Sequence, residues 1–188
     1  MTTAFTDEVG RRRALLEAAR GAGASWALAV DPDERIEDRF ARRIRKLTRA
    51  TTPTAYVFRL RELYRPDSYR VDGIWGRKRV ARLISLHDDM NYATNSLHAS
   101  WHELYPTYRL RSARASIYHL KMIDPARRKA RRDLYEHLDP DRRYQRIGYD
   151  YLTDESSLTL KRVSRRHAFS PPHADDGELW MPEMHPSE

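Results

Sequence analysis

Leu83, Leu86, Met90, Ala93, Leu97, Trp101 and Leu104 recur at steps of three and four. That spacing lines apolar side chains along one stripe of an α-helix. A stripe of this length needs neighbours to cover it, so it predicts a long helix over about 77–105 at the centre of a bundle. Asp31-Pro32, Asp124-Pro125 and Asp139-Pro140 each precede helix-compatible sequence. Asp at an N-cap accepts a bond from an otherwise unpaired amide, and Pro at the first helical position gives up an amide that has no helical partner. With Thr6, Thr52-Pro53 and Pro106-Thr107, these pairs predict helices near 7–20, 32–49, 53–65, 107–123, 125–138 and 140–147, the last stopped by Gly148. Ala24–Val30 and 154–166 read equally as helix or strand, and Pro66–Gly73 reads as a loop. The expected fold is therefore all-α: a compact multi-helix bundle around a long central helix.

A chain of 188 residues with 40% hydrophobic content can bury a core. It has no cysteine, which removes disulfides, thiol nucleophiles and Cys-based metal sites. The longest stretch free of Asp, Glu, Lys and Arg, Met90–His102, is too short and polar to span a bilayer. No apolar core follows the basic cluster near the N-terminus, so no signal peptide is expected and the location expected is cytoplasmic.

The net charge of +8 is unevenly placed. Residues 1–166 hold 35 basic and 22 acidic residues, or +13, and are expected to form one basic domain. Residues 167–188 hold five acidic residues and no Lys or Arg, with Pro171, Pro172, Pro182 and Pro186 opposing regular structure. A disordered, solubilising acidic tail is expected there.

In the expected helix 32–49, Arg35, Arg39, Arg42, Lys46 and Arg49 fall on one face, with Arg43 beside them. At 1.5 Å per residue such a row covers about 21 Å, enough to track successive backbone phosphates. Further clusters are Arg77, Lys78, Arg79 and Arg82; Arg109, Arg111 and Arg114; Arg127, Arg128, Arg131 and Arg132; and Arg142 with Arg143. One such cluster reads as a solvated helix face. Several with little acidic compensation point to a nucleic-acid backbone. The basic helices lack strongly apolar opposite faces, so no membrane partner is expected.

His87, Asn91, Asn95, His98 and His102 would share a second face of the long helix. His98 and His102 are spaced to share a metal, and His87-Asp88 resembles the metal-binding dipeptide of HD phosphohydrolases. No histidine precedes residue 87 to complete that set, and a third zinc ligand is missing. A metal-dependent hydrolase at His87, His98 and His102 is thus the lesser alternative, and polar packing the ordinary one. Walker, Gly-x-Gly-x-x-Gly and Gly-x-Ser-x-Gly patterns are absent. The expectation is a non-enzyme without metal or cofactor.

A helix-turn-helix duplex-DNA regulator, with 32–49 followed by 53–65, is the main alternative among nucleic-acid binders. Its supposed recognition helix offers chiefly Arg59, Arg61 and Arg65, which suit phosphates more than base edges. The basic row Arg35–Arg49, the long helix 77–105 and the Arg127–Arg132 cluster together resemble the small helical-bundle subunits of CRISPR interference complexes, over about residues 30–166. That resemblance implies a catalytically silent subunit of an antiviral ribonucleoprotein, several copies side by side, contacting single-stranded RNA or DNA backbone and neighbouring protein subunits. It carries no diagnostic motif and assigns no site residue.

Overall fold

A computed structural model describes residues 8–87, 101, 108–143 and 145–170. The architecture is mixed α/β, which corrects the all-α helical bundle expected from periodicity. Helices occur at α1 (Glu8–Gly21), α2 (Ile44–Leu47) and α3 (Pro125–Leu138). The strands are β1 (Trp26–Leu28), β2 (Glu34–Ile36), β3 (Thr54–Arg65), β4 (Ser68–Arg70), β5 (Arg79–Ser85), β6 (Arg109–His119) and β7 (Leu160–Arg162). They form one sheet in the order β1-β5-β3-β4-β7, with β6 pairing both β3 and β2.

Two expected helices are present, α3 for the anticipated reason, while Thr6, the expected cap of α1, lies outside the described residues. α3 begins at Asp124, whose carboxylate accepts the Ala126 N–H over 2.8 Å, with Pro125 next in the chain. α1 ends on Gly23, whose φ of +79° allows two closing bonds: Gly23 N–H to Arg20 O and Ala24 N–H to Ala19 O.

Elsewhere the punctuation serves other ends. The expected helix 53–65 is β3, where buried Phe58, Leu60 and Glu62 alternate with exposed Arg59 and half-buried Arg61. The start of the expected helix 77–105 is β5, which is buried on both faces from Ala81 to Ser85. A strand covered on both faces shows no period of two, so its apolar residues also match a three-residue step. Met90, Ala93, Leu97 and Leu104 of the stripe lie outside the described residues.

The expected helix 107–123 is instead β6 followed by a short turn at Leu120–Met122. The segment 32–49 divides into β2, a turn at Asp38–Arg42 and the four-residue α2. Among the described residues, Asp139-Pro140 starts no helix. The Asp139 carboxylate accepts the Arg143 and Gln145 N–H groups and the Tyr149 hydroxyl. The ambiguous segments contain strands β1 and β7, and the expected loop 66–73 contains β4.

The chain clusters into two compact units, and β3 and β6 each contribute to both. The first unit comprises Met1–Val30, Ala41–Arg59 and Arg79–Ala115. Its core is Leu16, Ala55, Ala81, Ile84, Leu86, Trp101 and Tyr108. The second comprises Asp31–Phe40, Leu60–Lys78 and Ser116–Glu188. One of its clusters centres on Leu63, Tyr69, Tyr118 and Leu120, the other on Tyr64, Trp75, Met122, Tyr149 and Leu152. Each such large side chain, once covered, contributes about 1.5–3 kcal/mol.

Phe169 stacks on Tyr118 at 4.6 Å between ring centroids, so the first residues of the expected tail pack within the second unit. The remainder of the tail, from 171, lies outside the described residues. Among the described residues, no helix is long and apolar enough to cross a membrane.

Candidate nucleic-acid interface

Charge separates between the units. The first unit contains 15 Lys and Arg against six Asp and Glu, or +9, and the second contains 20 against 21, or −1. Within the first unit, residues 41–59, 79–87 and 108–115 carry eleven cations and no carboxylate side chain. Arg42, Arg45, Lys46, Arg49, Arg59, Arg79, Arg109 and Arg111 are exposed there. Among the described residues, none of these eight forms an ion pair.

Local structure fixes the backbone beneath these side chains. The Tyr56 hydroxyl donates to Leu47 O over 2.9 Å, tying the end of α2 to β3. The Arg109 N–H donates to Pro53 O. Arg43 Nη1 donates to Arg114 O over 2.7 Å, so Arg43 braces the backbone of β6. Arg114 has φ +49°, a left-handed conformation unusual for a side-chain-bearing residue, and its N–H meets Ser112 Oγ. Arg59 of β3 and Arg79 of β5 are directly opposite in the ladder.

The structure divides the residues singled out from sequence. It places Arg42, Arg43, Lys46, Arg49, Arg79, Arg109, Arg111 and Arg114 in the basic unit. Arg82 shares that unit but is buried. The continuous helical row Arg35–Arg49 does not exist. Arg35 is bonded to the carbonyls of Pro32 and Glu34, and Arg39 is paired with buried Glu37, both in the second unit. Arg77 is exposed in the second unit, whereas Lys78 is engaged with Glu62.

The cations of and after α3 sit among acids. Arg127 faces Asp124, Arg132 faces Asp133, Arg142 faces Glu136, and Arg143 faces Asp141. Arg128 is buried against the Tyr64 ring and pairs with Glu155, and half-buried Arg131 acts electrostatically on Asp33. Arg45, not singled out from sequence, and Arg59, named there only as part of a supposed recognition helix, also belong to the uncompensated set. For Arg59, the alternation Phe58-Arg59-Leu60-Arg61 is the signal that could have found it.

The second unit carries a buried ionic cluster. Glu62 has no exposed side-chain surface. Its Oε1 lies 3.0 Å from Lys78 Nζ and 3.5 Å from Lys121 Nζ, and its Oε2 lies 3.1 Å from His119 Nδ1. His119 Nε2 is 3.0 Å from Asp33 Oδ2. Burial alone raises the affinity of Glu62 for a proton, but Lys121, His119 and Lys78 outweigh it and hold the carboxyl well below its ordinary range. Burial likewise opposes a charged His119. The Glu62 carboxylate and the bond to Asp33 overcome that cost and raise its pKa. Each ring nitrogen thus faces a carboxylate, Nε2 at hydrogen-bond distance from Asp33 and Nδ1 at ion-pair distance from Glu62. The cluster ties Glu62 of β3 and His119 of β6 to Asp33, Lys78 and Lys121 outside the strands.

His87 lies at the end of β5, with its Nε2 2.9 Å from Ser85 Oγ. That hydroxyl donates to Thr54 O and accepts the Thr54 N–H. His98 and His102, the other members of the expected metal face, lie outside the described residues, as do Asn91 and Asn95. Among the described residues, no group of three or more His, Asp and Glu could hold a metal ion. No protein-family model, no curated protein and no solved structure matches the chain.

Proposed function

We propose that this chain is a non-catalytic nucleic-acid-binding protein that grips the phosphate backbone through the cations of its first unit. One observation carries the reading: residues 41–59, 79–87 and 108–115 contain eleven Lys and Arg, eight of them exposed without an ion pair among the described residues, and no Asp or Glu. A solvated charged surface ordinarily mixes both signs, as the α3 region of the same chain does. An unbalanced set of exposed arginines instead favours a polyanion, whose condensed counterions are released on contact.

Backbone contacts position a nucleic acid without reading its sequence, so binding is expected to tolerate any sequence. The duplex-regulator alternative needs a recognition helix at 53–65, where the chain forms β3. The narrower assignment to a CRISPR interference subunit rests on a basic helical row Arg35–Arg49, a long helix 77–105 and the Arg127–Arg132 cluster. Residues 35–49 do not form a single helix, and residues 79–85 form β5. We therefore carry forward the backbone-binding role alone.

The test is fluorescence anisotropy of 20-nucleotide single strands, RNA and DNA, across a salt series. Affinity should fall steeply with salt, at a slope of about −0.7 for each phosphate neutralised. Replacing Arg45, Arg49 and Arg109 by Gln should flatten that slope by about 2, three contacts' worth. Replacing Lys129, Arg132 and Arg143, which already face acids, should leave it unchanged. Salt-independent binding, or equal effects of the two triple variants, would overturn the reading.

A further inference from the structure

Arg59 and Arg79 are Cα partners in the antiparallel β3–β5 ladder. The Leu60 N–H donates to Lys78 O over 3.0 Å, one residue beyond Arg59 and one before Arg79. A bond at that offset marks the pair as a non-hydrogen-bonded site of the ladder. Such sites bring Cα atoms to about 4.5 Å and side chains to their closest approach. Both arginines are exposed, and neither has an ion-pair partner among the described residues.

Like charges directly opposite one another destabilise a ladder. In the β2–β6, β3–β4 and β4–β7 registers each arginine faces an uncharged residue instead. Arg35 faces Tyr118, Arg65 faces Ser68, Arg70 faces Leu160, and Arg162 faces Ser68. Arg70 and Arg162 also have carboxylates at 2.9 Å, from Asp72 and Asp67. Arg59 and Arg79 lack both forms of relief. Two guanidinium forks at the closest cross-strand spacing match the oxygens of a phosphate group, which arginine binds in bidentate fashion.

We propose that Arg59 and Arg79 form a two-arginine seat for one phosphate group, the anchoring contact of the nucleic-acid interface. The seat deepens the backbone-binding reading and rests on it for the identity of the ligand. It assigns Arg59 a role distinct from that of the surrounding cations. They add diffuse attraction, whereas the pair takes a defined phosphate and relieves its own repulsion in doing so.

The first experiment is thermal unfolding of the full chain with millimolar inorganic phosphate against chloride at equal ionic strength. Phosphate should raise the wild-type midpoint, and the rise should vanish in Arg59→Gln and Arg79→Gln but persist in Arg42→Gln. At low salt without phosphate, both seat variants should melt no lower than the wild type, because each removes the repulsion. A seat variant that responds to phosphate as the wild type does, or that melts lower in its absence, overturns the proposal.

The second experiment is single-strand binding. Each seat variant should lose affinity on the order of tenfold or more, and Arg42→Gln only a few-fold. Equal losses overturn the seat while leaving the wider interface reading standing. A wild type that binds no strand at low salt defeats the wider reading, and the phosphate-dependent melting then still decides the seat. Strands with a 5′-phosphate or a 5′-hydroxyl distinguish the source of the group. A preference for the former that is lost in Arg59→Gln assigns the seat to a strand end, and equal binding with the same variant loss assigns it to an internal phosphate.

Discussion

Nδ1 of His119 lies 3.1 Å from Oε2 of Glu62, joining a nearly buried imidazole on β6 to a wholly buried carboxylate on β3. The other ring nitrogen faces Asp33, so the imidazole has a carboxylate at each of its nitrogens. The pair gives the second unit a defined pH response. Glu62 has a folded pKa below its ordinary 4.5, so its contribution is complete above that value and is lost as pH falls through the folded one. His119 has a folded pKa above its ordinary 6.5, so its contribution is complete below that value and is lost as pH rises through the folded one. The cluster should stabilise most between about pH 4.5 and 6.5. Urea unfolding at intervals from pH 4 to 9 should show His119→Gln flattening the alkaline decline; an unchanged pH profile in that variant would remove the linkage.

Glu62→Gln tests the same cluster at fixed pH. It removes the anion that Lys78, Lys121 and His119 share. Breaking a buried pair by deleting one partner costs about 3–5 kcal/mol, because the remaining charges stay desolvated. The wild-type minus variant difference in chemical unfolding at pH 6 should reach that range. The partial exposure of both lysines sets the expectation at its lower end. A loss under about 0.5 kcal/mol would show that water already screens the cluster.

The Asp124 cap makes a smaller, local prediction. Its carboxylate accepts the Ala126 N–H over 2.8 Å, and Pro125 follows. Asp124→Ala should cost about 1 kcal/mol, whereas Asp124→Asn, which caps equally well, should be nearly neutral. Hydrogen exchange should place the Asp124→Ala loss in the first turn of α3. Equal behaviour of the two variants would mean that Pro125 and packing alone set the helix start.

What could be read from the sequence divides along that same line between local and distant causes. α3 was legible because Asp124, Pro125 and the helical run are neighbours in the chain, and α1 because its signals are equally local. β3 carried a readable alternation at Phe58, Arg59, Leu60 and Arg61 that the flanking proline pattern obscured. β5 hid its strand character because burial on both faces erases the period. β6 opens with Arg109-Leu110-Arg111-Ser112, all exposed, so no apolar alternation marks its start. The candidate seat was invisible for a different reason. Arg59 and Arg79 become neighbours only through the β3–β5 register, and composition reports their charge but not that they face each other.

Two glycines in different surroundings close the set of predictions. A Cβ on Gly76 would collide with the Val71 carbonyl oxygen, a backbone atom that cannot swing aside. Val71 is itself held, its N–H donating to Thr159 O. Gly76→Ala must therefore shift the turn that sets Trp75, which is buried, against its cluster. Overpacking of this kind costs about 1–3 kcal/mol. At Gly21, in the last turn of α1, a Cβ meets nothing within 4 Å. Gly21→Ala should stabilise by about 0.4–1 kcal/mol, chiefly by restricting the unfolded chain. Thermal melts of both variants, with tryptophan fluorescence reporting on Trp75, should move in opposite directions; a Gly76→Ala variant as stable as the wild type would refute the close approach at Val71.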